Sequence, residues 1–312
     1  MNESRKPLHP LHGIIVFVLI MITFLLLFAP LQYYFGMGGV ALTELGLLLL
    51  TLLAVVLTRQ KFREVFPISR PHFGQIMGTL MIWAGCLLSV MLVTLILMLF
   101  FPESFLEVST SLNSTFSSTP PLLTFLIVAV MPAICEEAMH RGFILHTFRS
   151  VQKDWLVVIC MGIIFGLFHM DPYRFLPTAL LGMGLTYVMR KSDNLLLPAL
   201  FHFVNNAFSS ISSFTSSSSI LESEETAALL NDPSYIKLCI GTYLILGFFA
   251  PILLYGGSHL LKKASGCLEK RSDTRITLTV VAVILVSVLM LAAGLIILVS
   301  NMGNLLEMGH YL

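Results

Sequence analysis

Glu136, Glu137, His140 and Arg141 interrupt a stretch, Pro121 to Leu145, that is otherwise almost wholly apolar. Two later apolar stretches carry His169 and the pair His202 and Asn206. A charge at the middle of a bilayer costs about 2.5–3.5 kcal/mol on insertion scales, so charges kept there face a cavity, pair with one another or do chemistry. Residues four apart on a helix share a face. Glu137 therefore sits beside Arg141, which can neutralise it, and Glu136 is left as the candidate base or ligand. Glu136 and His140 share the neighbouring face, and His202 and Asn206 can address one point together. Pro132 has no N–H to donate and interrupts the backbone ladder just before the two acids. Carboxylate, imidazole and amide in this combination suit water activation. The carboxylate takes a proton from water, histidines hold the water or a divalent metal, and Asn or Arg meets the oxyanion of amide hydrolysis. No HExxH motif is present, so any metal would have to be held across helices.

The three motifs have a fixed order. Glu136-Glu137 with Arg141 reads EExxxR, Phe165 with His169 reads FxxxH, and His202 with Asn206 reads HxxxN, each on its own apolar stretch. Over roughly 120–212 this pattern resembles the CAAX-protease and bacteriocin-processing (CPBP, Abi) family of intramembrane endopeptidases. The resemblance implies that Glu136 activates water, paired with His169, and that His202 and Asn206 complete the site and stabilise the oxyanion. It implies a supporting role for Glu137 and a structural or substrate-orienting one for Arg141. Two mechanisms are open to such a family. One uses a divalent metal such as zinc, held here by Glu136, His169 and His202; the other uses the glutamate without metal. The implied substrate is a membrane-embedded or lipidated protein or peptide. One position departs from the pattern: His140 stands where an aromatic residue usually precedes the arginine. On the Glu136 face it could add a polar ligand; a helix-end histidine near the cytoplasmic surface is the simpler reading for it.

The elements that must position these residues follow from composition. The 312 residues are 56% hydrophobic and 11% charged, with a mean hydropathy of +0.89. This is a polytopic helical membrane protein, all-α, in a lipid bilayer. Nine apolar stretches are candidate spans: 11–34, 38–58, 75–101, 121–147, 154–170, 175–190, 194–214, 235–261 and 276–301. The fifth and sixth are short for the roughly 20 residues a crossing needs, which fits tilted, partial or protein-buried helices. Three regions follow: 1–118 with three spans, a core at 119–215, and 216–312 with two spans. Glu44 is the one acid inside the second stretch.

With a cytoplasmic N-terminus, sixteen of the 18 lysines and arginines fall on the inner side, from Arg5 and Lys6 to Arg275; only Arg174 and Lys237 fall outside. The positive-inside rule thus supports eight to nine spans in a multi-pass cell-membrane protein. The segments 102–120 and 215–234 read as outer loops, and Ser209–Ser219 as a helix end fading into one. The acids of the fourth stretch fall in its inner half, so the site is expected to open toward the cytoplasm. The five cysteines form no CxxC pair and read as structural thiols. No basic tract, phosphate loop or dinucleotide fingerprint is present, which disfavours nucleic acid and nucleotides. Two other functions share the inventory. A catalytically silent scaffold or regulator of the same family would carry the same fold, and a proton-coupled transporter would also bury Glu and His. The absence of an internal repeat counts against the transporter.

Overall fold

Each of the nine apolar stretches is a helix in the computed structural model, which describes residues 8–117, 119–215, 232–270 and 272–301. In chain order the described helices are α1 (Pro10–Phe35), α2 (Met37–Leu57), the short α3 (Phe62–Val65), α4 (Phe73–Phe100), α5 (Pro102–Ser117), α6 (Pro121–Thr147), α7 (Asp154–Phe168), α8 (Phe175–Ser192), α9 (Leu196–Thr215), α10 (Pro233–Ala264) and α11 (Asp273–Ser300). Six of them (α1, α2, α4, α6, α10 and α11) are long and apolar enough to cross a membrane. α7 is apolar but has only 15 residues. The segment 102–120, expected as a loop, is helical over Pro102–Ser117. Arg5, Lys6, Arg271 and the loop expected over 216–231 lie outside the described residues.

The helices are arranged around α6. α1 and α2 pack on one side of it, and α9 on another. α7 and α8 form a hairpin, α4 lies against α8, α9 and α10, and α11 sits outermost against α10. One apolar cluster joins α1, α2, α6 and α7 through Phe17, Leu47, Met139, Phe143 and Met161. A second joins α4, α7, α8, α9 and α10 through Ile82, Phe165, Leu185, Phe201 and Leu261. The outward surfaces stay greasy: Leu26, Leu49, Ile296 and Val299 are all exposed. Lipid, not water, is the solvent such faces suit.

Small residues set the closest approach, as is usual between membrane helices. A Cβ on Gly166 of α7 would stand 2.8 Å from the Phe175 carbonyl oxygen. α7 and α8 can meet this closely only because glycine leaves room, and that places Phe165 and His169 against the core.

One end of the bundle gathers the basic connectors. Asp154 pairs with Arg190 and Lys191. Arg149 donates to the Glu64 carbonyl at 2.7 Å, and Asn194 clamps Ser69 in both directions. The other end carries Asp171, Tyr173 and Arg174, with the Phe101 ring tilted against that of Tyr173 at 5.3 Å between centres. The free cysteines are Cys86, Cys135, Cys160, Cys239 and Cys267.

Candidate active site

Pro132 shapes α6 around the two acids. Its missing N–H leaves the carbonyl four residues earlier, Val128, without a helical donor. The backbone widens there into a π-helical turn, Leu126–Val130, and Asn206 Nδ2 donates to the Val128 carbonyl at 3.0 Å. A second π segment, Ala138–Ile144, follows the acids directly. π turns inside α-helices are frequent at functional sites.

The expected ion pair forms. Arg141 Nη1 lies 2.9 Å from Glu137 Oε1, with both side chains fully buried. Arg141 Nη2 donates to the Gly182 carbonyl at 3.0 Å, and the guanidinium carbon sits 4.5 Å from the centre of the Phe165 ring. His202 Nδ1 reaches the same Glu137 oxygen at 2.8 Å. Glu137 therefore ties α6 to α9, and Arg141 ties α6 to α7 and α8.

Three histidines share one hydrogen-bond logic. His169 Nδ1 lies 2.8 Å from the Phe165 carbonyl, and His140 Nδ1 lies 3.0 Å from the Glu136 carbonyl. A carbonyl can only accept, so each Nδ1 carries the proton and leaves Nε2 as the free acceptor. His202 follows the same pattern toward the Glu137 carboxylate. Phe165 is the hub, its ring 4.8 Å from His169, 5.0 Å from His140 and 5.8 Å from His202.

A cavity of about 360 Å³ runs through this cluster, and Glu136, His169, His202 and Asn206 all line it. Glu136 is buried, and its Oε2 has no hydrogen-bond partner in the protein. Glu44 of α2 is likewise buried with an unpartnered Oε2. Asn206 has a structural bond to Val128 and also accepts from Asn205 at 3.3 Å.

His140 corrects the sequence reading. It is fully buried between the Phe165 and Phe168 rings rather than at a helix end near the surface. It does not line the cavity, whereas Phe165, against which it packs, does. The direction of opening is also corrected. The lining runs from Arg174, just before α8, through Thr178 to Leu181 and Leu185 on that helix, and on α9 from Phe201 and His202 to Ser210 and Ser213. Both walls lead to the end of the bundle opposite the basic connectors.

Several lining residues were missed in the sequence: Arg174, Thr178, Asn205, Ser209 and Ser213. The signal for the α9 residues was present. His202, Asn205 or Asn206, Ser209 and Ser213 recur every three to four residues, one polar helical stripe, whereas the serines alone read as a fading helix end.

Residues 118–208 match the family model of Rce1-like type II CAAX prenyl endopeptidases. This segment belongs to the CAAX-protease family. It contains α6 through most of α9 and every residue of the three motifs. No curated protein and no solved structure is significantly similar to the chain. The six long apolar helices make this an integral, multi-pass membrane protein that carries a CAAX-protease-like segment. Among the described residues no three His, Cys, Asp or Glu side chains converge closely enough to hold a metal ion. Glu136, His169 and His202 share a cavity, but as arranged they do not fit one.

Proposed function

We propose that the chain is an intramembrane endopeptidase that hydrolyses a peptide bond in a membrane-associated or lipidated protein, with Glu136 as the base. The observation that carries this reading is the free carboxylate oxygen of Glu136, buried in the wall of the cavity it shares with His169 and His202. An unsatisfied buried carboxylate is costly, and a reactant is the partner it lacks.

The water lies between Glu136 and His169, accepted by the free Nε2 of the imidazole. Glu136 takes one proton as the hydroxyl attacks the scissile carbonyl carbon. His202, oriented by the bond from its Nδ1–H to the Glu137 carboxylate, lines the cavity beside the attacked carbonyl. The second N–H of Asn206 is the donor in reach of the cavity for the oxyanion. Glu136 then gives its proton to the departing amine nitrogen, the C–N bond breaks, and a new carboxyl terminus and amine are released. Arg141 holds Glu137 in place through their ion pair and does not touch substrate. Every proton in this sequence is carried by a side chain of the chain itself.

The test compares the termini of membrane proteins in a deletion strain, in the restored strain and in a strain expressing Glu136→Ala. A terminus present only with the wild-type chain identifies the substrate. Identical termini in all three strains, with the phenotype restored by Glu136→Ala, would favour a non-enzymatic scaffold. With a substrate in hand, cleavage persists in the presence of a strong zinc chelator; loss on chelation and recovery with zinc would contradict the metal-free sequence of steps.

A further inference from the structure

The length of α7 locates the mouth of the cavity. Fifteen residues rise about 22 Å, short of the roughly 30 Å of hydrocarbon in a bilayer. Asp154, at the first turn of α7, is fixed to Arg190 and Lys191 at the basic end of the bundle. A helix that begins there ends before the far boundary. His169 and the non-helical residues up to Arg174 therefore lie at membrane depth. Irregular backbone at that depth is tolerated only when buried in protein or lining a water-filled cavity. Here it lines the cavity: His169 and Arg174 are both in its wall. Asp171 Oδ1 accepts from the Tyr173 and Arg174 amides, which closes the turn locally.

The two ends of the cavity differ. Toward the basic connectors it is sealed by the Glu137–Arg141–Gly182 contacts and by fully buried Val188, Leu197 and Phe201. Toward the other end its walls are polar, with Thr178, Ser209 and Ser213 leading to Arg174. A cation at this depth needs water or an anion beside it. The sealed end carries the basic connectors that the positive-inside rule assigns to the cytoplasm.

We infer that water and substrate reach Glu136 from the extracytoplasmic face. The substrate class is then a peptide segment exposed at the outer boundary of the membrane, not a lipidated tail presented in the cytoplasm. The inference rests on the hydrolase reading only for what passes through the vestibule; its geometry is independent of turnover.

Access is measured by thiol labelling. In a chain with its five cysteines replaced, Ser209→Cys and Ser213→Cys probe the cavity, and Gln152→Cys probes the basic end. Right-side-out and inside-out vesicles are treated with sulfonatoethyl methanethiosulfonate, a small anionic reagent that does not cross the bilayer. Both cavity cysteines should be modified in right-side-out vesicles and spared in inside-out ones, with Gln152→Cys the reverse. Modification of the cavity cysteines only from the inside-out vesicles would overturn the inference. So would protection from both sides while Gln152→Cys is modified. The same pattern is expected in a Glu136→Gln background, so failure of the hydrolase reading and failure of this one give different results.

Discussion

Glu136 and Glu137 are neighbours with different work because their partners differ. Glu137 is shared between Arg141 and His202, while one oxygen of Glu136 has none. Breaking a buried pair strands the surviving charge, whereas replacing both partners can be nearly neutral. Glu137→Gln should therefore destabilise the protein by about 3–5 kcal/mol, and adding Arg141→Met should recover part of the loss. Thermal unfolding in a fixed detergent measures both. The pairing of Glu137 with Arg141 was legible in the sequence because i and i+4 are neighbours in any helix. The position of His140 was not. Ala138–Ile144 is π-helical, so each residue turns less than the 100° that a 3.6-residue period assumes, and faces assigned by that period drift. No local sequence pattern announced that turn.

At the scale of the helix, α6 owes its shape to Pro132 and its repair to α9. Asn206→Ala leaves the Val128 carbonyl unpaired, at a cost of about 1–3 kcal/mol. Pro132→Ala restores the backbone donor that the carbonyl lacks, so the double variant should lose less than the two single losses together. Equal and additive losses would show that Asn206 does not serve this carbonyl. The existence of the proline break was legible; its partner on α9, 78 residues away, was not, because only the folded packing brings the two together. The short α7 was legible from length alone. The helical character of α5 was hidden by serines and threonines, which favour caps and turns in isolation.

For the whole molecule, hydropathy and charge were enough to place nine helices, since the bilayer requires every spanning segment to satisfy its own backbone. The α7–α8 hairpin returns to the side it left, so the number of crossings after it keeps its parity. With the N-terminus inside, an alkaline phosphatase fused after Asn301 should be active, and one inserted after Gln152 should not. Activity at the second position and not the first would reverse the topology and, with it, the face on which the cavity opens. That face could not be read from α6 alone. The acids sit in one half of their helix, but the cavity is defined by the walls that α8 and α9 supply.

Glu136 is the point on which these scales meet. Purified protein in liposomes, given the substrate identified from the missing terminus, should cleave it at the mapped bond. Glu136→Gln should lower that rate by about 10²–10⁴-fold, the usual contribution of a general base, with thermal stability unchanged. Cleavage by Glu136→Gln at the wild-type rate would contradict the account.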